Sequence, residues 1–475
     1  MGFTRTLGIL GCVLVGGFAG CRAGTPSSRN ETGRRSSPLV ETSKAESPRK
    51  VVKEPAPWKG AWFEEGSLKP LAMKLAWDTP PLSEKILGLH LLLDRKGAGV
   101  FSRNVVAVTD RHGLYAFDPG TGTAKWKVQA EGSLAVAPGS SEDSFFYIQD
   151  NILNAVDIKP FRFRETESGV EPGAKAWRRV LPFASSTAPA GNNLFTFVGS
   201  YDRRLYCLNT GSFKQSGRTA KIVEPGSIRW SFETGGEILK PAVVTQQRVY
   251  QLSEDGLIYA FETGAGRIPS RTAWPFKTGG RVHGEIALDY DKLTGEDILI
   301  VGASDGTLFV LGGAGTVRCK FFTGVTITDT PWVVHYTTPG KEPETLVYLR
   351  CEGNRIFALR INKMVLDVPE LPVPGSELNP NTKKRPLVHG AFPKWGVEKL
   401  WEGKGCTRFL ARGNRAVYFL RSPNVIVALE PLTGNVLWEL PATNIRFFLT
   451  NPADGTLYLG DPAGKVFALQ EEKGF

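Results

Sequence analysis

Short apolar runs recur along the chain, separated by residues that favour turns. The clearest stretch is 247–264. Val249 to Leu252 reads as a strand. Asp255-Gly256 reads as a hairpin turn, because a two-residue type I′ turn needs positive φ and glycine supplies it without a Cβ clash. Leu257 to Phe261 reads as a second strand, short and nearly all apolar, hence buried on both faces. Thr263-Gly264 turns again. An outer strand carrying Trp274 completes the unit.

The same order returns elsewhere. Val105 to Val108 leads to Gly113–Asp118, then Thr121-Gly122 and Trp126. Phe195 to Val198 leads to Leu205–Leu208, then Thr210-Gly211 and Trp230. Ile298 to Val301 leads to Asp305–Val310. Val417 to Leu420 leads to Val425–Leu429, then Thr433-Gly434 and Trp438. Weaker copies run through Phe145–Val156 with Trp177 and through Leu346–Leu359 with Trp401.

The outer-strand position therefore runs Trp77, Trp126, Trp177, Trp230, Trp274, Cys319, Trp401, Trp438, with gaps of 49, 51, 53, 44, 45, 82 and 37 residues. Cys319 keeps the surrounding pattern, since Cys319-Lys-Phe-Phe-Thr-Gly shares the Phe-x-Thr-Gly of Trp230-Ser-Phe-Glu-Thr-Gly but lacks its tryptophan. A large ring at a fixed outer position can cover the seam between neighbouring units.

A repeat of about 45–50 residues built from four short strands signals the blades of a β-propeller. The fold class is all-β, with four-stranded antiparallel blades. Innermost strands are expected at 86–93, 133–138, 184–190, 236–244, 280–289, 324–336, 405–412 and 443–450, which makes eight blades. Seven is the alternative if the weak unit ending at Trp177 is not a blade. The last copy, Gly455 to Leu469, stops before any outer strand, and Trp77 precedes the first full copy. Residues near Trp77 are therefore expected to supply the missing strand and close the ring. A ring also reconciles 475 residues with one architecture, because single cores stop growing near ~250–300 residues whereas each blade packs only on its neighbours.

The gap of 82 holds a proline-rich insertion at 367–394, with Pro369, Pro372, Pro374, Pro380, Pro386 and Pro393 plus Lys383-Lys384-Arg385. It reads as a long loop, either disordered or in contact with a partner.

The net charge of +11 is unevenly placed. Residues 1–21 carry +1 and residues 22–60 carry +5, which leaves +5 for the long remainder. A basic tail before a near-balanced body suits an anionic membrane surface. No basic stripe interleaved with aromatics marks a nucleic-acid site. Residues 22–57, rich in Ser, Pro, Lys, Arg and Glu, read as a tether. The segment before it has Arg5, then an apolar stretch from Leu7 to Gly20. That is too short to span a ~30 Å hydrocarbon core and reads as an export signal.

The signal ends Phe18-Ala19-Gly20-Cys21, which resembles a bacterial lipobox, with Phe18 departing from the usual leucine. The resemblance implies removal of residues 1–20, acylation of Cys21 and a tether over 21–60 before a propeller at 61–475. An ordinary secretory peptide is the alternative. Arg22 follows Cys21 in place of the aspartate that retains lipoproteins at the inner membrane, which favours the outer membrane facing the periplasm. Four cysteines remain: Cys207, Cys319, Cys351 and Cys406. They form no CxxC pair and read as buried thiols, with a disulfide left open.

No nucleophile elbow, zinc-protease helix or phosphate-binding loop is present. The Asp-Gly pairs at 255–256, 305–306 and 454–455 are read as hairpin turns, not cation loops. His90, His283 and His335 fall on expected innermost strands, around the central channel. They lack ligand spacing and read as structural. No catalytic, cofactor-binding or metal residue is assigned.

The units, with Gly-x-Leu/Ile-Tyr-Ala-Leu/Phe-Asp, then Thr-Gly, then Trp, resemble PQQ-like propeller repeats over about residues 68–470. Among these, an exported lipoprotein made of one eight-bladed propeller is similar to the BamB family. That resemblance implies a non-catalytic envelope scaffold that binds other proteins, with the β-barrel assembly machinery as partner. A ligand- or polysaccharide-binding sensor is the alternative reading. A PQQ-dependent oxidoreductase is the second alternative. It is disfavoured because no Cys-Cys pair and no Asp, Glu and Asn set for Ca²⁺ are present, so no PQQ is expected.

Overall fold

The computed structural model describes Phe63 and residues 65–96, 99–158, 175–211, 213–215, 221–263, 274–292, 294–336, 344–372 and 387–472, all within the unit Ala61–Phe475. Cys21, the signal, the tether and residues 373–386 of the insertion lie outside the described residues.

Eight four-stranded antiparallel sheets form among the described residues. Blade 1 runs through Ile86–Lys96, Gly99–Thr109, Gly113–Phe117 and Ala124–Gln129. Blade 4 is the unit read first in the sequence, with Val243–Val244, Arg248–Leu252, Leu257–Glu262 and Trp274–Lys277. Its middle strands are almost wholly buried, as expected of apolar runs packed on both faces. Blade 8 joins the two ends of the ring. Its order places Met73–Asp78 outside Val466–Glu471, and Trp77 pairs with Ala468. Phe63 packs edge-on against Phe467 beside this closure, centroids 5.6 Å apart.

The outermost strands carry Trp77, Trp126, Trp177, Trp230, Trp274, Trp401 and Trp438, and Cys319 in blade 5. Register explains why bulky rings fit there. Trp77, Trp126, Trp177, Trp274, Trp401 and Trp438 each lie opposite an alanine: Ala468, Ala116, Ala155, Ala260, Ala358 and Ala428. Trp230 lies opposite Cys207. Cys319 lies opposite the larger Val310.

Four of these rings also bond to the next blade. The indole N–H of Trp77 donates to Pro119 O (2.9 Å), Trp177 to Thr210 O (2.8 Å), Trp274 to Gly313 O (2.9 Å) and Trp401 to Pro431 O (2.9 Å). Every acceptor sits in the turn before the next blade's outer strand. A glycine with positive φ in that turn lies against the indole. A Cβ on Gly122 would come within 2.5 Å of Trp77, on Gly315 within 2.7 Å of Trp274, and on Gly434 within 2.6 Å of Trp401. The Thr-Gly and Trp signatures are thus two halves of one joint, made between successive blades.

Blade 3 departs from the expected pattern. A Cβ on Gly211 would meet nothing within 4 Å, and Gly226 fills the role, since a Cβ there would come within 2.8 Å of Trp177. The reason is an inserted hairpin, Phe213–Gln215 with Lys221–Val223, which separates Thr210-Gly211 from the functional turn. At blade 5 the missing tryptophan is replaced from next door. Trp395, on the long outer hairpin of blade 6, packs against the same buried cluster as Cys319 and Phe321 of blade 5.

That hairpin corrects the reading of 367–394 as a loop throughout. The ladder continues from Ala358↔Trp401 out to Pro372↔Leu387, so both flanks of the insertion are strand. Six innermost strands are shorter than expected, and that of blade 2 falls outside the expected 133–138. They cover Gly139–Ser140, Ala190–Gly191, Val243–Val244, Ala287–Asp291, Trp332–Tyr336 and Phe447–Phe448 in blades 2 to 6 and 8. Several residues before them, such as Leu134, Ser185 and Ile327, make only isolated bridges. Extended chain crossing between blades has no partner beside it to form a ladder.

Candidate functional site

The inner strands surround a central cavity of 1760 Å³, lined by all eight blades and, in blades 2 to 5, 7 and 8, by the turn joining the inner strand to the second. Acidic side chains outnumber basic ones along it, but most of the acids are already engaged. Asp297 accepts hydrogen bonds from Tyr250 (2.9 Å) and Thr245 (3.1 Å) of the preceding blade. Asp454 accepts from Ser102 (2.8 Å) and Asn451 (2.8 Å). Glu471 fills a nest of backbone amides, those of Asn414 (2.7 Å), Arg415 (3.1 Å) and Ala416 (3.2 Å), and accepts the Tyr418 hydroxyl at 2.7 Å. In the equivalent hairpin of blade 3, Asn192 caps its own turn through Leu194 N and Phe195 N. Blade 7 has Gly413 there, so the cap comes from blade 8. Burial first, then Asp297, raises the Tyr250 hydroxyl pKa, and burial then Glu471 does the same for Tyr418.

The histidines separate. His335 faces the channel from blade 6, and its Nε2 lies 3.0 Å from Asp289 Oδ1 of blade 5. That hydrogen bond raises the imidazole pKa above its ordinary value. His90 sits on the inner strand of blade 1, where burial lowers its pKa to about 4. His283 lies in the connection ahead of Ala287–Asp291, not on an inner strand as expected. Among the described residues no group of three or more His, Cys, Asp or Glu is arranged to hold a metal ion.

The Asp-Gly pairs are turns of two kinds. Gly256 (φ 80) and Gly306 (φ 87) adopt the left-handed conformation. Asp255 and Asp305 cap those turns by accepting Leu257 N and Thr307 N. Asp454-Gly455 instead lies between the inner and second strands, at the other face. Gly455 is needed there for closeness, since a Cβ would meet Gly413 Cα at 2.6 Å. Cys207, Cys351 and Cys406 are buried free thiols, and Cys319 is a half-buried one. Burial pushes the Cys319 and Cys351 thiols up to about 11.

The face opposite the cavity mouth carries exposed apolar groups on its loops. Tyr201, in the turn between the two middle strands of blade 3, is 60% exposed, and Leu239, in the link to blade 4, is 37% exposed. Sequence reasoning singled out neither these residues nor Arg412 and Glu471. Their roles depend on contacts between distant segments.

With this geometry in place, the comparisons are specific. A family model described as outer membrane protein assembly factor BamB matches residues 168–319, less than half of the chain. A search of curated protein sequences finds no match. The structure is similar to that of BamB from Moraxella catarrhalis at 13% identity and a TM-score of 0.52, covering 85% of this chain and 99% of that one. It is also similar to the quinohemoprotein alcohol dehydrogenase ADHIIG from Pseudomonas putida HK5, at 14% identity and a TM-score of 0.48, covering 85% of this chain and 77% of that one. The chain is an eight-bladed propeller that resembles BamB.

Proposed function

We propose that this chain is a non-catalytic, lipid-anchored scaffold of the bacterial envelope. It binds other proteins and serves the assembly of outer-membrane β-barrels. The observation that carries the reading is the match of residues 168–319 to the BamB family model. The lipobox-like end at Cys21 and the basic tether support an anchor in the outer membrane, with the propeller in the periplasm. Tyr201 and Leu239, exposed on one face, are the side chains we assign to partner contact.

PQQ-like repeats also imply a quinone with its calcium ion. The donors present do not fit that group. The channel carboxylates Asp297, Asp454 and Glu471 are held by hydroxyl, amide and backbone donors of this chain, and the sequence has no adjacent cysteine pair. A ligand-binding propeller is the second reading, favoured by the central cavity. Affinity purification of the anchored protein from its own envelope separates these readings. Recovery of barrel-assembly components supports the scaffold. Their absence, or quinone absorbance with dye reduction after adding PQQ and Ca²⁺, overturns it.

A further inference from the structure

Arg412 ends the inner strand of blade 7, Cys406–Arg412, and lines the central cavity. Its guanidinium lies over the Tyr336 ring, 4.3 Å from the centroid. Its Nε is buried with no hydrogen-bond partner. Among the described residues no carboxylate pairs with it. The acid that acts on it through space, Glu471, is already saturated by three amides and the Tyr418 hydroxyl. Asp289 is engaged by His335. Of the corresponding strands, those of blades 2, 3, 4, 6 and 8 end on uncharged residues, and Asp291, which ends that of blade 5, pairs with Lys363.

A guanidinium presents five donors in a rigid fork. Partly desolvated and unpaired, it costs stability. Such a cost at the wall of an open cavity is what a binding residue incurs, because binding groups are kept for function against stability. The fork matches a carboxylate in two-point contact. The acids lining the same cavity, Asp289, Asp297 and Glu471, disfavour ligands with several negative charges, and Val244, Leu288 and Val333 of that cavity offer apolar surface. We propose that Arg412 anchors a small organic monocarboxylate in the central channel, its apolar body lying along the channel wall. This site is independent of the scaffold reading and of its partner-binding face.

The test uses the mature chain, wild type and Arg412→Met, titrated calorimetrically with benzoate, its neutral isostere benzamide, and inorganic phosphate. Benzoate binds the wild type, and benzamide binds at least about tenfold more weakly, the size expected for one charge-assisted pair. Arg412→Met weakens benzoate by a similar factor, and Arg412→Lys lies between. Without ligand, Arg412→Met melts at or above the wild-type temperature, because an uncompensated charge has been removed. Equal affinity for benzoate and benzamide overturns the proposal. So do phosphate binding more tightly than benzoate, no benzoate binding at millimolar concentration, and a lower melting temperature for Arg412→Met.

Discussion

The joint between tryptophan and glycine makes a quantitative prediction, because the sequence contains both a working and an idle copy of the same dipeptide. Gly434, in Thr433-Gly434, has φ 73, and a Cβ there would sit 2.6 Å from Trp401 Cδ2 and 2.8 Å from Cε3. Gly434→Ala therefore incurs about 1–2 kcal/mol for an alanine in left-handed backbone. Displacing the indole from a packed seam adds about 1–3 kcal/mol. Stiffening of the unfolded chain offsets only about 0.4–1 kcal/mol. The net loss is roughly 2–4 kcal/mol. Gly211, in Thr210-Gly211, has open space around it, so Gly211→Ala should stay within about 0.5 kcal/mol of wild type. Urea unfolding followed by tryptophan fluorescence measures both, with the midpoint shift converted through the m-value. Equal destabilisation by the two substitutions would refute the joint, as would a neutral Gly434→Ala.

Three further outcomes follow from the same geometry. Glu471→Ala strips the acceptor from three amides and a buried hydroxyl, and should cost about 2–3 kcal/mol; hydrogen exchange should quicken at Asn414–Ala416, and unchanged protection there would contradict the latch. Trp395→Ala should cost about 3 kcal/mol, since the ring packs on the buried cluster shared by blades 5 and 6; a neutral result would mean that this ring carries no packing between the two blades. The two inner-strand histidines should give opposite pH dependence. His90 is held neutral down to about pH 4, so stability falls by up to ~3 kcal/mol as pH drops from about 6.5 toward 4, and His90→Gln should flatten that slope. The contact of His335 with Asp289 contributes fully below about pH 6.5 and is lost as pH rises through its raised pKa, which His335→Gln should abolish.

Much of the fold was legible because a propeller repeats its local physics. Trp126 and Ala116 lie ten residues apart in one short stretch of chain, as do Trp438 and Ala428, and the order of strand, turn, strand and tryptophan recurs even where the spacing lengthens. The closing strand at Trp77 was legible by subtraction, since the final copy lacked an outer strand. Other features were hidden where the chain breaks its own pattern. Gly211 looks like the turn glycine because the motif is identical; only the intervening hairpin Phe213–Gln215 and Lys221–Val223 moves the role to Gly226. Trp395 lies outside the repeat position, and the buried cluster it packs against joins blades 5 and 6. The inner strands looked long because apolar residues continue into the crossings between blades, where burial persists but pairing does not. The candidate site was almost illegible. Arg412, Tyr336 and Glu471 come from three different blades, and Asn414 meets Glu471 across 57 residues of sequence. No local spacing encodes such a meeting.

The scaffold reading is tested most directly by binding between purified components. The mature propeller, with and without Tyr201→Asp and Leu239→Asp, is titrated calorimetrically with the purified soluble region of the barrel-forming assembly subunit from the same envelope. The reading predicts saturable one-to-one binding that the two aspartate substitutions weaken at least about tenfold, one pair of apolar contacts being worth that much, while the melting temperature stays unchanged. No binding by the folded wild-type propeller would contradict it.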